Sequence, residues 1–522
     1  MRKFLKLFPI ILVTILLASC SSIIYSDSVK NSFKMAKKNK RQIKHAISYF
    51  HNKGDSLQSD ALCYLLENIN DHSFVEIALY DSNKVEIPWN VLDYENYDEA
   101  IVVMDSLEEE HGELHWKLKE KKLDIQAIPG EFFIDNIELA FKAWKEKPWS
   151  QGYSFEVFKE YILPYRGSNE PIDSWRSWRG YFLDSYKDLE KKMNNPDDPI
   201  EAAQLINDDL KSWFKFDSRF YLHPTDQGLF EMLMNKIGRC EDMTNLAIYA
   251  MRANGIPVIS DYTPHWADTG NNHAWNAILT PEGDVIPFMG CESNPGDYSL
   301  RHRMAKAYRK AFSEQKDNLA FKLNEEEKVP AWLAGKSYID VTSVYTKVSD
   351  VTLELEYDIP DSARFAYLCV FNSGEWKAIH WGKIKGKTVT FTNMGVNIAY
   401  LPMFYVNKEL KPAEKPFILR KNGDLRILQG DGDYDFIKLI SVTKKNIEKS
   451  TEQKQIVFLD EGATYELFYW DDEWKSVEKQ VAKGDPLIFK DIPKKRLFWL
   501  VEEGSKKEER IFTYDNNKQI WW

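Results

Sequence analysis

The sequence predicts an α+β protein: a helical N-terminal region, a mixed core in which a helix is followed by antiparallel strands, and two C-terminal β-sandwich domains. Three observations predict it. Apolar residues recur at three- and four-residue spacing through most of the chain up to about residue 195. A helical stretch and then three strand-like runs occupy 200 to 300. From about Tyr338 onward the pattern alternates, with aromatic and β-branched residues between Gly, Asn and Asp turns. The expected boundaries are 1–19 for a leader, 20–195 for the helical region, 196–330 for the core, and 331–433 and 434–522 for the two sandwiches.

The leader comes first. Arg2, Lys3 and Lys6 precede the apolar run Phe8 to Leu17, which ends at Leu17-Ala18-Ser19-Cys20. Basic flank, short apolar run and small residues before a cysteine form a signal peptide with a lipobox. The run is short for a membrane span. It resembles bacterial lipoprotein signals, which implies that Cys20 is the lipidated first residue of the mature chain, anchored in the bacterial cell envelope. The net charge of −11 becomes about −14 when the three basic residues leave, and an acidic chain argues against nucleic acid as a partner. Cys63, Cys240, Cys291 and Cys369 remain, too few and too scattered for a disulfide framework in 522 residues.

Within the helical region, Phe33 to Phe50 and Ser59 to Ile69 have helical spacing, broken by Gly54 and Asp55, and Tyr97 to Lys122 continues it among many charges. Ile134 to Trp144 adds another amphipathic stretch. Tyr165, Arg166, Asn169 and Glu170, with Trp175 and Trp178 after them, are read as a loop packing two helical layers rather than as the rim of a cleft.

In the β region Val351 to Tyr357, Phe365 to Phe371, Lys387 to Phe391 and Ile398 to Tyr405 read as strands. Tyr367, Glu375, Trp376, Lys377, Phe391 and Tyr400 recur 98 positions later as Tyr465, Glu473, Trp474, Lys475, Phe489 and Phe498. Two sandwiches of similar build in tandem account for the repeat.

The core carries the chemistry. Met243, Leu246, Ala247, Ala250 and Met251 make Asp242 to Ala253 helical, and Asn254-Gly255 stops it. Cys240 opens that helix, where unpaired N–H groups and the helix dipole are expected to favour the thiolate. Ile256 to Tyr262, His273 to Leu279 and Val285 to Met289 read as strands, so His273 opens one.

Gly238-Arg239-Cys240 at a helix start, Gly255-Ile256-Pro257 at its end and His273-Ala274-Trp275 on a following strand together resemble the transglutaminase-like superfamily, a branch of the papain-like cysteine enzymes. The resemblance covers about 200 to 300. It implies a papain-like core in which Cys240 is the nucleophile, His273 its base, and an acid orients the histidine. Where the family places an Asp, this chain has Met289, which cannot accept a hydrogen bond of the needed strength.

A two-residue turn at Glu282-Gly283 pairs Pro281 with Asp284 and puts Glu292 across from His273, on the same side of the sheet. Glu292 is therefore the expected acid and Asp297 the second choice; a slip of one residue would break the pairing. The Cys240 N–H is an expected oxyanion donor, and Gln227 a further candidate. His265 is read as a surface or packing histidine, Trp275 as core or cleft wall, and Cys291 as buried. No His/Cys cluster has metal-ligand spacing and no glycine-rich phosphate loop occurs, so neither metal nor cofactor is expected.

The resemblance implies thiol attack on amide bonds in peptide, glycopeptide or cell-wall substrates, with hydrolysis favoured over cross-linking. The rival is a catalytically inactive surface scaffold holding glycan or protein, which exposed Trp376, Trp381 and Trp474 would support.

Overall fold

The computed structural model describes residues 25–173, 177–444, 457–506 and 508–522. The expected leader, with Cys20, and Trp175 lie outside them. Among the described residues no helix is long and apolar enough to cross a membrane.

The chain opens with three helices. α1 (Asp27–Met35) is capped by Ser26, whose hydroxyl accepts the Val29 N–H. α2 (Lys40–Lys53) stops at Gly54 in the left-handed conformation, φ 75°, and α3 (Ser56–Asn68) starts on the Asp55 carboxylate. The next segment departs from the helical expectation. β1 (Ser73–Tyr80) pairs with β2 (Glu86–Ile87) and, beyond α4 (Tyr97–His111), with β3 (His115–Leu123), giving a three-stranded antiparallel sheet. The helical spacing from Tyr97 stops at Gly112, φ 79°, and the mostly exposed Trp116–Lys122 run is held by the ladder to β1. Propensity in so charged a run is weak, and strand pairing overrides it.

α5 (Asp124–Ala127), α6 (Gly130–Glu146), α7 (Phe155–Val157) and α8 (Trp178–Ser185) complete this region. The core follows with α9 (Pro199–Trp213), β4 (Lys215–Phe216), α10 (Leu229–Asn235), β5 (Ile237–Gly238) and α11 (Cys240–Ala253). β4 and β5 pair in parallel just before the cysteine. β6 (Val258–Thr263), β7 (His273–Leu279), β8 (Val285–Phe288), β9 (Tyr308–Lys310) and β10 (Tyr338–Asp340) form one antiparallel sheet in the order β10-β9-β6-β7-β8. Every residue of α11 except Glu241 is buried. α11 packs on β6, β7, α8 and α9, and one hydrophobic cluster runs from Val29 through this helix to Val341. The helical region and the core therefore share a single interior.

After α12 (Thr342–Tyr345) come β11 (Val348–Glu354), β12 (Phe365–Asn372), β13 (Glu375–Lys383), β14 (Thr388–Gly395), β15 (Ile398–Val406), β16 (Glu409–Pro412), β17 (Phe417–Leu419) and β18 (Leu425–Ile427). β11 and β14 pair alone, and their Val351, Leu353 and Phe391 pack against Leu368, Val370 and Tyr400 of the larger sheet β13-β12-β15-β17-β18. The second module has β19 (Tyr434–Leu439), β20 (Thr464–Asp471), β21 (Glu473–Val481), β22 (Leu487–Pro493), β23 (Phe498–Glu502), β24 (Ile511–Asp515) and β25 (Lys518–Trp521). It repeats the plan: β19 pairs with β22 opposite β21-β20-β23-β24-β25. β13 and β21 match end to end at the offset of 98.

The larger sheets of the two modules face each other. Phe371, Trp376, Trp470 and Trp499 are buried between them, with Trp381 and Trp474 partly buried alongside. Of the tryptophans whose exposure would support a scaffold, Trp376 is buried and Trp381 and Trp474 are partly buried, so none is an open stacking face. Arg510 ties the assembly together, donating to the carbonyls of Phe371 (2.7 Å), Ala267 (2.6 Å) and Trp522 (3.0 Å). Replacing it leaves buried acceptors in both β modules and the core without a donor, at about 1–3 kcal/mol for each unsatisfied group. Arg510→Met is expected to lower the midpoint of thermal unfolding and to open the module joints to limited proteolysis; an unchanged midpoint and digestion pattern would contradict this role.

Candidate active site

α11 starts where it does because a buried carboxylate holds its first turn. Asp242 accepts the Arg239 N–H on one oxygen and the Gln227 N–H on the other, both at 2.9 Å. The Arg239 N–H bond is half of a capping box. Burial, reinforced by the neighbouring Asp226 charge, pushes the Asp242 carboxyl up to about 6. Arg239 in turn binds Asp226 at 2.6 Å. The result is a fixed seat for Cys240 at the first helical position.

The thiol itself departs from expectation. Cys240 is 6% exposed, and its Sγ donates to Glu241 Oε2 at 3.0 Å. Burial, the Glu241 charge and that hydrogen bond raise the thiol well above its ordinary range, while the Ala274 N–H beside the sulfur and Arg239 pull the other way. The helix terminus is outweighed by desolvation and a carboxylate at contact distance, so the resting group near neutral pH is a thiol.

Ala274 brings the second residue in. It follows His273 at the start of β7, where His273 pairs with Thr263 of β6. The imidazole lies between Trp266 and Trp275, each with its ring centroid at 6.0 Å. Burial lowers its basicity, opposed by Glu241 and assisted by His302. His273 Nε2 is 2.7 Å from the hydroxyl of Tyr298, which leaves Nδ1 free for proton exchange. Burial, together with the Glu292 charge, raises the Tyr298 phenol, so it stays neutral, and its oxygen accepts the Nε2–H of the tautomer whose Nδ1 carries a lone pair.

Glu292 does not meet His273. The hairpin turns through three residues rather than two: Thr280 faces Asp284, the Thr280 carbonyl accepts the Gly283 N–H, and Gly283 adopts φ 95°. The ladder is consequently one residue out from the expected register, with Leu279 facing Val285 and Asn276 facing Phe288, where it ends. Gly290 then passes so close to α11 that an added Cβ would lie 2.5 Å from the Met243 carbonyl and 2.7 Å from Ala247 Cβ. The chain reverses across Met289 and Ser293, with Cys291 at φ 60°. Glu292 is left exposed, acting on Tyr298 only through its charge. Asp297 is exposed as well, its N–H bonded to Asn294.

The other candidates are placed as follows. The Gln227 side chain donates to the Ile237 carbonyl and accepts from Asn235, both at 2.9 Å, so these bonds hold it to β5 and the end of α10. His265 is largely buried and its basicity is lowered to about 4, by burial and then by Lys377. Trp275 is fully buried, and Cys291 is buried against the Met243 carbonyl. Glu241 and Tyr298 were missed by sequence reasoning. Glu241 carries the signal of adjacency to the cysteine, whereas Tyr298 stands in a loop with no periodic signal at all.

Residues 187–288 match the family model described as Transglutaminase-like superfamily. Among solved structures, the chain is similar to a provisionally assigned cysteine protease from Cytophaga hutchinsonii, at 21% identity and TM-score 0.18 over 23% of this chain and 39% of that one. It is also similar to red sea bream transglutaminase, at 10% identity and TM-score 0.22 over 87% of this chain and 77% of that one. The chain thus spans about two fifths of the first of these. No curated protein matches it. Family match, helix-borne cysteine and strand-borne histidine agree: residues 187–288 carry a transglutaminase-like core.

Proposed function

We propose that the protein is a lipid-anchored, envelope-exported cysteine hydrolase acting on amide bonds of peptide, glycopeptide or cell-wall substrates. The observation that carries this is that Cys240, at the start of α11, has its sulfur beside the N–H of Ala274, the neighbour of His273 on β7, and that His273 Nε2 bonds Tyr298. Cys240 is the nucleophile, His273 takes the thiol proton on Nδ1, and Tyr298 holds Nε2 and fixes the ring. Attack forms the Sγ–carbon bond. The tetrahedral oxyanion collapses as the amine leaves with the proton from His273, and water then cleaves the thioester. In this reading the Cys240 N–H, at the first turn of α11, is the oxyanion donor.

Glu241 shapes the resting state. Its carboxylate keeps the proton on sulfur and also favours a charged His273, so charge separation is completed only when proton transfer and attack coincide. Hydrolysis rather than cross-linking is inherited from the family resemblance, and the anchor rests on the leader. One observation favours a second reading, a catalytically silent scaffold: a deeply buried thiol held by a carboxylate is a poor nucleophile until something moves Glu241.

Turnover of peptide and glycopeptide libraries by the purified protein is expected to fall at least about a hundredfold in Cys240→Ala and in His273→Ala. Turnover unaffected by both would sink the enzyme reading. Tyr298→Phe is expected to lower kcat/KM about tenfold, the loss of one hydrogen bond of about 1.4 kcal/mol, whereas Glu292→Gln changes it little; the reverse ranking would restore the carboxylate. A raised thiol ionises only as pH climbs above neutrality. Alkylation of Cys240, followed by peptide mass spectrometry, is therefore expected to accelerate only in alkaline solution and to shift to lower pH in Glu241→Gln. A profile that Glu241→Gln leaves in place would remove Glu241 from the account.

A further inference from the structure

A cleft lies at the opposite end of α11 from Cys240. Arg252 is twelve residues from the cysteine along the helix, about 18 Å at the α-helical rise. The cleft has a volume of about 440 Å³ and is walled by the helical region, the loop after Pro164, the end of α11, the edge of the core sheet and the segment leading into β10. That size accommodates a sugar-sized or similar small molecule.

Its charged lining is lopsided. Lys121, Arg166, Arg252, Lys310 and Lys336 face it, with Asp71 as the sole acidic side chain among its walls. Two of the cations are satisfied. Arg166 forks onto Asp124 at 2.7 and 2.9 Å, and Lys336 pairs with Asp71 at 2.9 Å. Lys121 is exposed and solvated. Two are not. Arg252, 4% exposed, donates through Nε and Nη1 to the carbonyls of Val258, Pro164 and Arg166, and Nη2 takes no bond among the described residues. Lys310 bonds the Ser168 hydroxyl and lies over the Tyr262 ring at 5.7 Å. Neither has a carboxylate at ion-pair distance among the described residues. Glu160 and Glu170 for Arg252, and Asp226 for Lys310, act from farther back. Burial lowers Arg252 to about 10, which marks a cation that those distant carboxylates undercompensate. His72 at the rim bonds the Phe312 carbonyl, and burial keeps it neutral.

We propose that this cleft binds a small ligand through a carboxylate or phosphate group, seated between the free edge of the Arg252 guanidinium and the Lys310 ammonium, with Asn169 at the entrance. A buried guanidinium with an unused donor nitrogen is costly without an anion, and Nη2 is the nitrogen left to donate to one. Arg166 and Asn169, read from the sequence as packing, are walls of this cleft. The inference stands apart from the hydrolase reading and holds whether or not Cys240 is active.

Titration calorimetry on the full chain tests it with three probes: inorganic phosphate, glucuronate and, as the uncharged control, glucose. Saturable binding of phosphate or glucuronate with no binding of glucose is expected, and the stronger of the two anions identifies the source of the charge. Lys310→Gln removes the charge while keeping a polar amide one bond shorter, and is expected to weaken binding at least tenfold with an unchanged melting temperature. Arg252→Lys keeps the charge, loses the free Nη2 donor, and is expected to weaken it further. Failure of both anions to bind, equal binding of glucose, or an affinity untouched by Lys310→Gln in a protein that melts normally would each overturn the assignment.

Discussion

The burial of α11 on every face is the constraint on which the rest depends. A helix enclosed by β6 and β7 on one side and by α8 and α9 on others cannot rotate or slide without opening a cavity or stranding a polar group. Its first turn is pinned by the Asp242 carboxylate and its last by the carbonyl contacts of Arg252. The helix therefore presents one chemical group at each end, a thiol and a guanidinium, at positions set by packing rather than by surface loops. Glu241 is the single residue on it that is not buried, and it is the one free to modulate the thiol.

Electrostatics at the cysteine run against the simplest expectation from helix geometry. A macrodipole contributes up to about 2 kcal/mol in favourable, partly buried geometry. Removal from water and a carboxylate at 3.0 Å both favour the neutral sulfur, and in a low-dielectric site these outweigh the dipole. What results is a nucleophile whose proton is retained until the neighbouring imidazole is engaged. The use of a phenol in place of a carboxylate behind His273 has the same character. Tyr298 orients the ring by hydrogen bonding without adding negative charge to a pocket that already contains Glu241.

The two β modules contribute architecture. Each is a pair of strands laid against a larger sheet, and the larger sheets meet over a cluster of aromatic rings in edge-to-face contact, such as Trp376 with Trp470 at 5.6 Å and Phe371 with Trp499 at 5.1 Å. Arg510 and Asn372 extend this joint to the core. Asn372 donates to the carbonyls of Trp266, Thr269 and Asn271, in the loop that leads to His273. The first module thereby steadies the strand that carries the histidine.

The sequence by itself determined the parts whose signal is local. Periodicity in Met243 to Met251 defined the helix, Asn254-Gly255 its end, alternation the β modules and the 98-residue offset their repeat. Cys240 and His273 were legible because each opens an element. The charged run after Gly112 was misread because a strand held by pairing leaves little trace in so polar a segment. The third member of the site was decided by tertiary structure. A turn of three residues instead of two shifts the hairpin by one position, and the close pass of Gly290 over α11 then diverts the chain, sending Glu292 to solvent. Tyr298 reaches His273 through a loop whose path no periodicity records. The charge state of Cys240 was likewise settled by packing, because whether a dipole or a buried carboxylate prevails depends on distances and water exclusion that a one-dimensional pattern does not contain.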